Sequence, residues 1–210
     1  LLQILLSACL EAGVVLETDR EVTGTAETAD GVDVILADGS HLPARMVVGA
    51  DGLRSVLRAG IHDDQPCTTG YVAYRGALPI ESVQRPHDLD TVISWIGPGM
   101  HLVQYPVRRG ELYNQVAVFK SPRYAAGEAD WGTPEELREI FGKACPPVRL
   151  ALDSLTLNFR WPIFDRDPVE TMTQGRVALL GDAAHPMVQF LAQGACQAIE
   201  DAVTLTEQLD

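Results

Sequence analysis

The spacing of apolar residues changes twice along the chain of 210 residues. Residues 1–12 carry an apolar stripe at helical spacing, and residues 14–17 form a short apolar run that predicts a strand. Asp30-Gly31 predicts the turn of a hairpin between residues 21–28 and 32–36. Residues 44–49 are apolar apart from Arg45, a run that predicts a buried parallel strand.

The middle of the chain has longer strands in which apolar and polar residues alternate. Turn-forming clusters such as Gly97-Pro98-Gly99 separate them, and the predicted strands are residues 71–78, 91–96, 100–107 and 112–119. This pattern predicts an antiparallel sheet with one covered face. Thr133, followed by Pro134 and Glu136, predicts the start of a helix that runs to about Cys145.

The last stretch returns to a single buried strand followed by a helix. The predicted strand at residues 176–180 is apolar after Arg176 and ends at Gly181-Asp182, and a helical pattern begins at Gly194. Asp182 would then lie at the carboxyl end of a strand, where open α/β sheets bind ligands. The helix N-terminus at Gly194 favours an anionic or electron-rich ligand in the same place.

Together these patterns predict an α/β (α+β) protein with two domains. Residues 1–64 and 160–210 would form one discontinuous domain, and residues 65–159 would form an antiparallel-sheet domain inserted into it. The composition is that of a globular protein, with 46% hydrophobic and 21% charged residues.

Charge and cysteine content exclude several classes of function. The net charge of −13 argues against nucleic-acid and anionic-membrane binding, and no apolar run reaches the ~20 residues of a membrane span. The four cysteines are scattered, without the spacing of a zinc site or a disulfide framework, so a reducing cytoplasm is the expected location.

Two separated motifs resemble the signatures of FAD-dependent aromatic hydroxylases, the single-component group typified by para-hydroxybenzoate hydroxylase. The sequences GDAAHPM and QGACQAIEDA, within residues 181–202, are similar to the family's second flavin-binding signature. The sequence MVVGADGLRSVLR, residues 46–58, resembles its A-D-G-x-x-S-x-x-R signature. The pattern around residues 97–119 is most similar to members such as 3-hydroxybenzoate 6-hydroxylase and salicylate hydroxylase.

The resemblance implies a partial Rossmann-like FAD-binding domain and assigns its cofactor contacts. Asp182 would hold the ribityl chain through its hydroxyl groups, and Pro186 and the loop to Gly194 would pass beside the isoalloxazine ring. The expected cofactor-binding residues are Asp51, Gly52, Arg54, Asp182, Pro186, Gly194 and Ala195. The alternative for the first motif is structural, with Asp51 in a turn, Ser55 capping a helix, and Arg54 and Arg58 solvated.

The expected catalytic residues lie mainly in the inserted domain. Strand alternation places His101, Val103 and Tyr105 on one face, and a histidine with a pKa near neutrality can deprotonate a phenol. The resemblance makes His101 the base and places Tyr105 and Gln189 at the substrate. Arg75 would pair with a substrate carboxylate, or with an acidic side chain at the surface, and His185 is expected to be a hydrogen-bonded structural residue.

The implied function is hydroxylation of a small aromatic acid, similar to 3-hydroxybenzoate or salicylate, with NADH or NADPH and O2 through a flavin C4a-hydroperoxide. The alternatives are a hydroxylase of a heteroaromatic or polyketide ring, and a non-catalytic piece of the hydroxylase fold. The second alternative arises because the chain lacks the family's N-terminal G-x-G-x-x-G and resembles an internal piece of a longer enzyme. Family members are often homodimers.

Overall fold

The computed structural model describes residues 1–83 and 90–209. Its helices and strands alternate along the chain in an order that confirms the mixed α and β fold class. In chain order they are α1 (Leu2–Glu11), β1 (Val22–Glu27), β2 (Val32–Leu36), β3 (His41–Ala44), β4 (Val47–Gly49), α2 (Val56–Ile61), β5 (Cys67–Pro79), β6 (Ile93–Gly97), β7 (Met100–Val107), β8 (Leu112–Lys120), α3 (Pro122–Ala125), α4 (Pro134–Phe141), α5 (Pro146–Leu152), β9 (Thr156–Asp165), β10 (Thr173–Gln174), β11 (Val177–Leu179) and α6 (Gly194–Leu209).

The chain divides into two compact units. Unit 1 is Leu1–Pro66 together with Arg166–Asp210, and unit 2 is the continuous segment Cys67–Asp165. The assignment of a cofactor to the first domain and of a substrate to the inserted one stays a prediction. Within the described residues, no helix has the length and apolarity needed to cross a membrane.

Unit 1 contains two small sheets. Strands β1, β2 and β3 form an antiparallel sheet, with the predicted hairpin at Asp30-Gly31. The second sheet has the order β10-β11-β4, and β11 runs parallel to β4, so the predicted parallel strand is confirmed for Val47–Gly49. Its predicted start was wrong, because Ala44 ends the antiparallel strand β3. Apolar side chains from both sheets and from α2 form one core, which includes Val32, Leu57, Val177, Leu179 and Ala183.

Two local predictions were wrong. Residues 14–17 form no strand, and Val14, Val15 and Leu16 are exposed. An apolar run becomes a strand only where a neighbouring strand takes up its backbone hydrogen bonds. The helix that begins after Thr133 ends at Phe141 instead of near Cys145, and a separate helix, α5, starts at Pro146 because proline is well tolerated at a first helical position.

Unit 2 is a five-stranded antiparallel sheet with the order β6-β7-β8-β5-β9. Helices α4 and α5 cover one face, and the core between sheet and helices includes Tyr74, Leu102, Phe119, Leu137 and Phe141. Gly97-Pro98-Gly99 makes the turn of the β6–β7 hairpin, with Gly99 in the left-handed region at φ +66°. The predicted alternating strands and their single helix-covered face are confirmed.

Candidate functional site

The carboxyl ends of β4 and β11 form the edge at which the two sequence motifs meet. The strands pair in parallel register, and Leu180 N–H donates to the Gly49 carbonyl at 2.9 Å. Asp51 and Asp182 therefore follow adjacent strands at the same edge of the sheet, although 131 positions separate them in the sequence. Open α/β sheets bind ligands at such an edge.

The Asp51 carboxylate is committed to the start of α2. It accepts hydrogen bonds from Ser55 Oγ at 2.6 Å, Val56 N–H at 2.8 Å and Leu57 N–H at 3.4 Å. Ser55 in turn accepts from the Arg58 backbone N–H at 2.8 Å, so its predicted role as a helix cap is confirmed. These contacts stabilise α2, and they leave Asp51 less free to bind a ligand than Asp182.

Asp182 has the opposite environment. Its side chain is exposed, and no donor in the described part of the chain bonds its carboxylate. A Cβ atom placed on Gly194, the first residue of α6, would lie 3.9 Å from Asp182 Oδ1. The structure thus brings an available carboxylate beside the N-terminus of a helix of 16 residues.

The loop between Asp182 and α6 carries the other predicted cofactor contacts of this motif. Pro186 is half-buried, Ala195 is exposed, and Gln189 is half-buried at the start of a 3₁₀ turn, Gln189–Leu191. The turn ends at Ala192, whose φ of +53° lies in the left-handed region that an alanine seldom adopts. His185 bonds to Asp201 of α6 with its Nε2 2.5 Å from Oδ2, as expected for a structural histidine.

The two arginines of the first motif differ in exposure. Arg54 is exposed, as expected of a solvated side chain, but the same expectation is wrong for Arg58. The Arg58 side chain is completely buried. It donates to the backbone carbonyls of Ala183 at 3.3 Å, Ala184 at 2.6 Å and Asp167 at 2.9 Å. A buried guanidinium needs acceptors for its fixed set of donors, and here they come from the residues directly after Asp182.

Asp64 joins Arg58 to a second buried arginine, Arg166, for which the sequence predicted no role. Arg58 binds both carboxylate oxygens at 3.0 and 2.8 Å, and Arg166 binds them at 2.9 and 3.1 Å. Arg166 also donates to the Leu53 carbonyl at 2.9 Å. The hydrogen bond from Arg58 is the main influence that holds the pKa of Asp64 below its usual value. We call Arg58, Asp64 and Arg166 the arginine hub.

His101 and Tyr105 share the face of β7 that points away from α4 and α5. Leu102 and Gln104, which alternate with them, are buried on the helix-covered side, whereas His101 and Tyr105 are half-buried. Burial lowers the pKa of His101, so its imidazole is neutral at pH 7 and has the protonation state that a general base requires. The geometry predicted from strand alternation is confirmed, and the catalytic roles stay predictions.

Arg75 lies on the same face of the sheet but is not brought to His101. It is on β5, two strands from β7 and roughly 10 Å away across the strands. Its guanidinium carbon lies 5.7 Å from the centre of the Trp161 ring on β9, on the side away from β7. This cation–π contact gives Arg75 a partner within the sheet.

The residues of unit 1 suit a flavin dinucleotide. An available carboxylate can accept hydrogen bonds from ribityl hydroxyl groups, and a helix N-terminus favours the negative charge of a reduced ring. The first turn of α6 contains no acidic side chain that would oppose that charge. No cluster of side chains able to hold a metal ion occurs in the described residues.

Known proteins of similar sequence show the family to which the chain belongs. The family model described as "FAD binding domain" matches residues 1–210. The chain is 41% identical over 208 residues to 3-hydroxybenzoate 6-hydroxylase 2 of Aquipseudomonas alcaligenes, covering 98% of the chain and 64% of the relative. The chain thus spans less than two thirds of that relative's length.

Two solved structures have a similar fold. A salicylate hydroxylase substrate complex matches with a TM-score of 0.76 and 30% identity, over 93% of this chain and 53% of that one. Klebsiella pneumoniae HpxO complexed with FAD and uric acid matches with a TM-score of 0.73 and 31% identity, over 89% and 48%. The chain belongs to the FAD-binding domain family, and the cofactor of that family is FAD.

Proposed function

We propose that this protein is, or forms part of, an FAD-dependent monooxygenase that hydroxylates a small phenolic acid with NADH or NADPH and O2. The observation that carries the proposal is the position of His101, half-buried and neutral, beside Tyr105 on the sheet face opposite the helices. A hydroxylated aromatic acid needs such a base, because its ring carbon becomes nucleophilic when the phenol loses its proton. The similarity to 3-hydroxybenzoate 6-hydroxylase 2 supports the same substrate class.

The proposed roles follow from the chemistry of each side chain. His101 takes the phenol proton, and Tyr105 and Gln189 hold the substrate by hydrogen bonds. Asp182 binds the ribityl hydroxyl groups, and the N-terminus of α6 stabilises negative charge on the flavin ring. Bound FAD, after reduction by the nicotinamide, supplies the activation of O2. One oxygen atom enters the ring and the other leaves as water, while NAD(P)H is oxidised to NAD(P)+.

The experiment that tests the function is an anaerobic titration of the purified protein with NADH while the visible flavin absorption is recorded. We expect 3-hydroxybenzoate or salicylate to accelerate flavin bleaching, and to couple NADH consumption to a hydroxylated product once O2 is admitted. Benzoate is the matched control, since it has the carboxylate but no phenol to deprotonate. Uric acid tests the heteroaromatic alternative, which the HpxO complex supports.

Two outcomes of that titration would contradict the proposal. A purified full-length protein that retains no flavin when FAD is supplied would exclude a monooxygenase. If the flavin is reduced at the same rate with and without each aromatic compound, the assignment of FAD stands and the proposed aromatic substrate is wrong.

The two acidic residues at the sheet edge are expected to respond differently to substitution. Asp182→Ala should weaken FAD binding about tenfold or more, because a hydrogen bond to a charged group contributes about 1.5–3 kcal/mol. It should leave the free energy of unfolding of the apoprotein unchanged, since no described residue bonds this carboxylate. Asp51→Ala should lower the free energy of unfolding by about 1 kcal/mol through loss of the cap on α2.

Fluorescence titration with FAD and urea unfolding of the apoprotein measure these two quantities in each variant. Loss of stability without loss of FAD affinity in Asp182→Ala would show that this carboxylate serves the fold and not the cofactor.

A further inference from the structure

Asp201, in the middle of α6, makes contacts that the proposed roles do not use. One carboxylate oxygen, Oδ2, accepts from the Gly181 backbone N–H at 2.9 Å and bonds to His185 Nε2 at 2.5 Å. Both partners belong to the loop that contains Asp182. The side chain is partly buried, with 29% of its surface exposed.

Gly181 itself is fixed closely against α6. Its φ of +59° lies in the left-handed region, and a Cβ atom on it would lie 3.2 Å from the Cβ of Ala198. Its carbonyl accepts from the backbone N–H groups of Ala184 at 2.9 Å and His185 at 2.8 Å. The N–H and the carbonyl group of Gly181 are therefore both hydrogen-bonded. Because glycine has no side chain, α6 can pack this closely against it.

Three residues of α6 contact the loop from one face of the helix. Gly194, Ala198 and Asp201 are four and three positions apart, which places them on the same side. Gly194 lies beside Asp182, Ala198 beside Gly181, and Asp201 bonds Gly181 and His185. Only the contact of Asp201 is polar and directional, so it determines how far α6 can slide along its axis past the loop.

We propose that Asp201 is a positioning residue for the flavin. By holding Gly181 and His185, it sets the distance between the Asp182 carboxylate and the N-terminus of α6, which are assigned to the ribityl chain and to the flavin ring. This inference rests on the proposed function. Without the Asp201 bonds, the distance between Asp182 and the N-terminus of α6 is no longer fixed. The flavin then loses either its ribityl contact with Asp182 or its ring contact with the helix.

The test compares Asp201→Ala, Asp201→Asn and His185→Gln with Glu200→Ala. Glu200 is the matched control, because it removes the same charge from the adjacent position of α6, where the side chain is exposed. Hydrogen exchange of the Gly181 amide measures the bond itself in the apoprotein. Fluorescence titration measures the FAD dissociation constant, and the visible spectrum of the bound flavin reports its surroundings.

We expect Asp201→Ala to expose the Gly181 amide to exchange, to weaken FAD binding about 10–100-fold and to shift the flavin absorption bands. Asp201→Asn retains an oxygen acceptor, so it should bind FAD more tightly than Asp201→Ala. The FAD affinity of His185→Gln should lie between those of Asp201→Asn and the parent. Glu200→Ala should bind FAD within about twofold of the parent. If Asp201→Ala does not fold, Asp201→Asn gives the same comparison.

Each other outcome contradicts a separate statement. Rapid Gly181 exchange in Asp201→Ala or Asp201→Asn with unchanged FAD affinity and spectrum would overturn the positioning role and leave the function intact. Equal weakening by Glu200→Ala would show that helix charge, and not the loop contact, is responsible. A parent protein with a protected Gly181 amide but no FAD binding would overturn the proposed function, and the flavin role of Asp201 with it.

Discussion

Replacing Asp64 with alanine is expected to destabilise unit 1 by about 3–5 kcal/mol, the usual cost of breaking a buried ion pair. The variant removes the carboxylate that Arg58 and Arg166 share and leaves two buried like charges without it. Because a typical domain is stable by about 5–15 kcal/mol, such a loss removes much of the folding free energy. The backbone carbonyls after Asp182 would also lose the guanidinium that holds them.

The chain offers a convenient readout that separates the two units. All three tryptophans, Trp95, Trp131 and Trp161, lie in unit 2. In urea unfolding of Asp64→Ala, circular dichroism should therefore show an early transition that tryptophan fluorescence does not follow. Arg20→Ala is the control, since Arg20 pairs with Glu17 at 3.1 Å on the surface, where ion pairs contribute about 0–1 kcal/mol. An unchanged urea midpoint in Asp64→Ala would show that the arginine hub does not stabilise the fold.

Substitution of His101 by glutamine is expected to lower kcat about 10²–10⁴-fold, the usual contribution of a general base. The change should leave FAD affinity and the free energy of unfolding close to those of the parent, because glutamine retains a polar side chain of similar length. His41→Gln is the control, as His41 lies in unit 1 and pairs with Asp33 at the surface. Steady-state kinetics with the phenolic acid measures the effect.

The pH dependence distinguishes a base from a binding residue. Burial lowers the pKa of His101 below its usual 6.5, and only the neutral imidazole can accept a proton. In the parent, kcat/KM should therefore fall as the pH drops through that lowered pKa and stay level above it. In His101→Gln this limb should disappear, and activity should recover as the pH approaches about 10, where a phenol ionises unaided. A variant with the parent's pH profile would show that another group takes the proton.

Local sequence patterns were sufficient to predict features that do not depend on a neighbouring strand or helix. The side chains of β7 alternate because the strand itself imposes a period of two. The shared face of His101 and Tyr105 could therefore be predicted from residues 101–105 alone. The strands that precede Asp51 and Asp182 could also be predicted from their apolar residues, but their parallel pairing joins segments about 130 positions apart and only the fold shows it.

The burial of Arg58 could not be predicted, because its acceptors are distant in the sequence. The carbonyls of Ala183 and Ala184 lie 125 and 126 positions away, and that of Asp167 lies 109 positions away. An arginine beside a helix start is usually solvated, and only the folded chain supplies enough acceptors for a buried one. The contacts of Asp201 could not be predicted for the same reason, since its partners Gly181 and His185 lie 20 and 16 positions away.

The antiparallel pairing of Cys67 with Asp165 has a consequence for how unit 1 closes. Pairing of β4 with β11 closes a loop of about 130 residues. If unit 2 folds first, its two ends, Cys67 and Asp165, already lie side by side. The disordered chain left to be closed is then about 30 residues, which lowers the entropic cost by roughly 1 kcal/mol. Folding of unit 2 thus shortens the loop that unit 1 has to close.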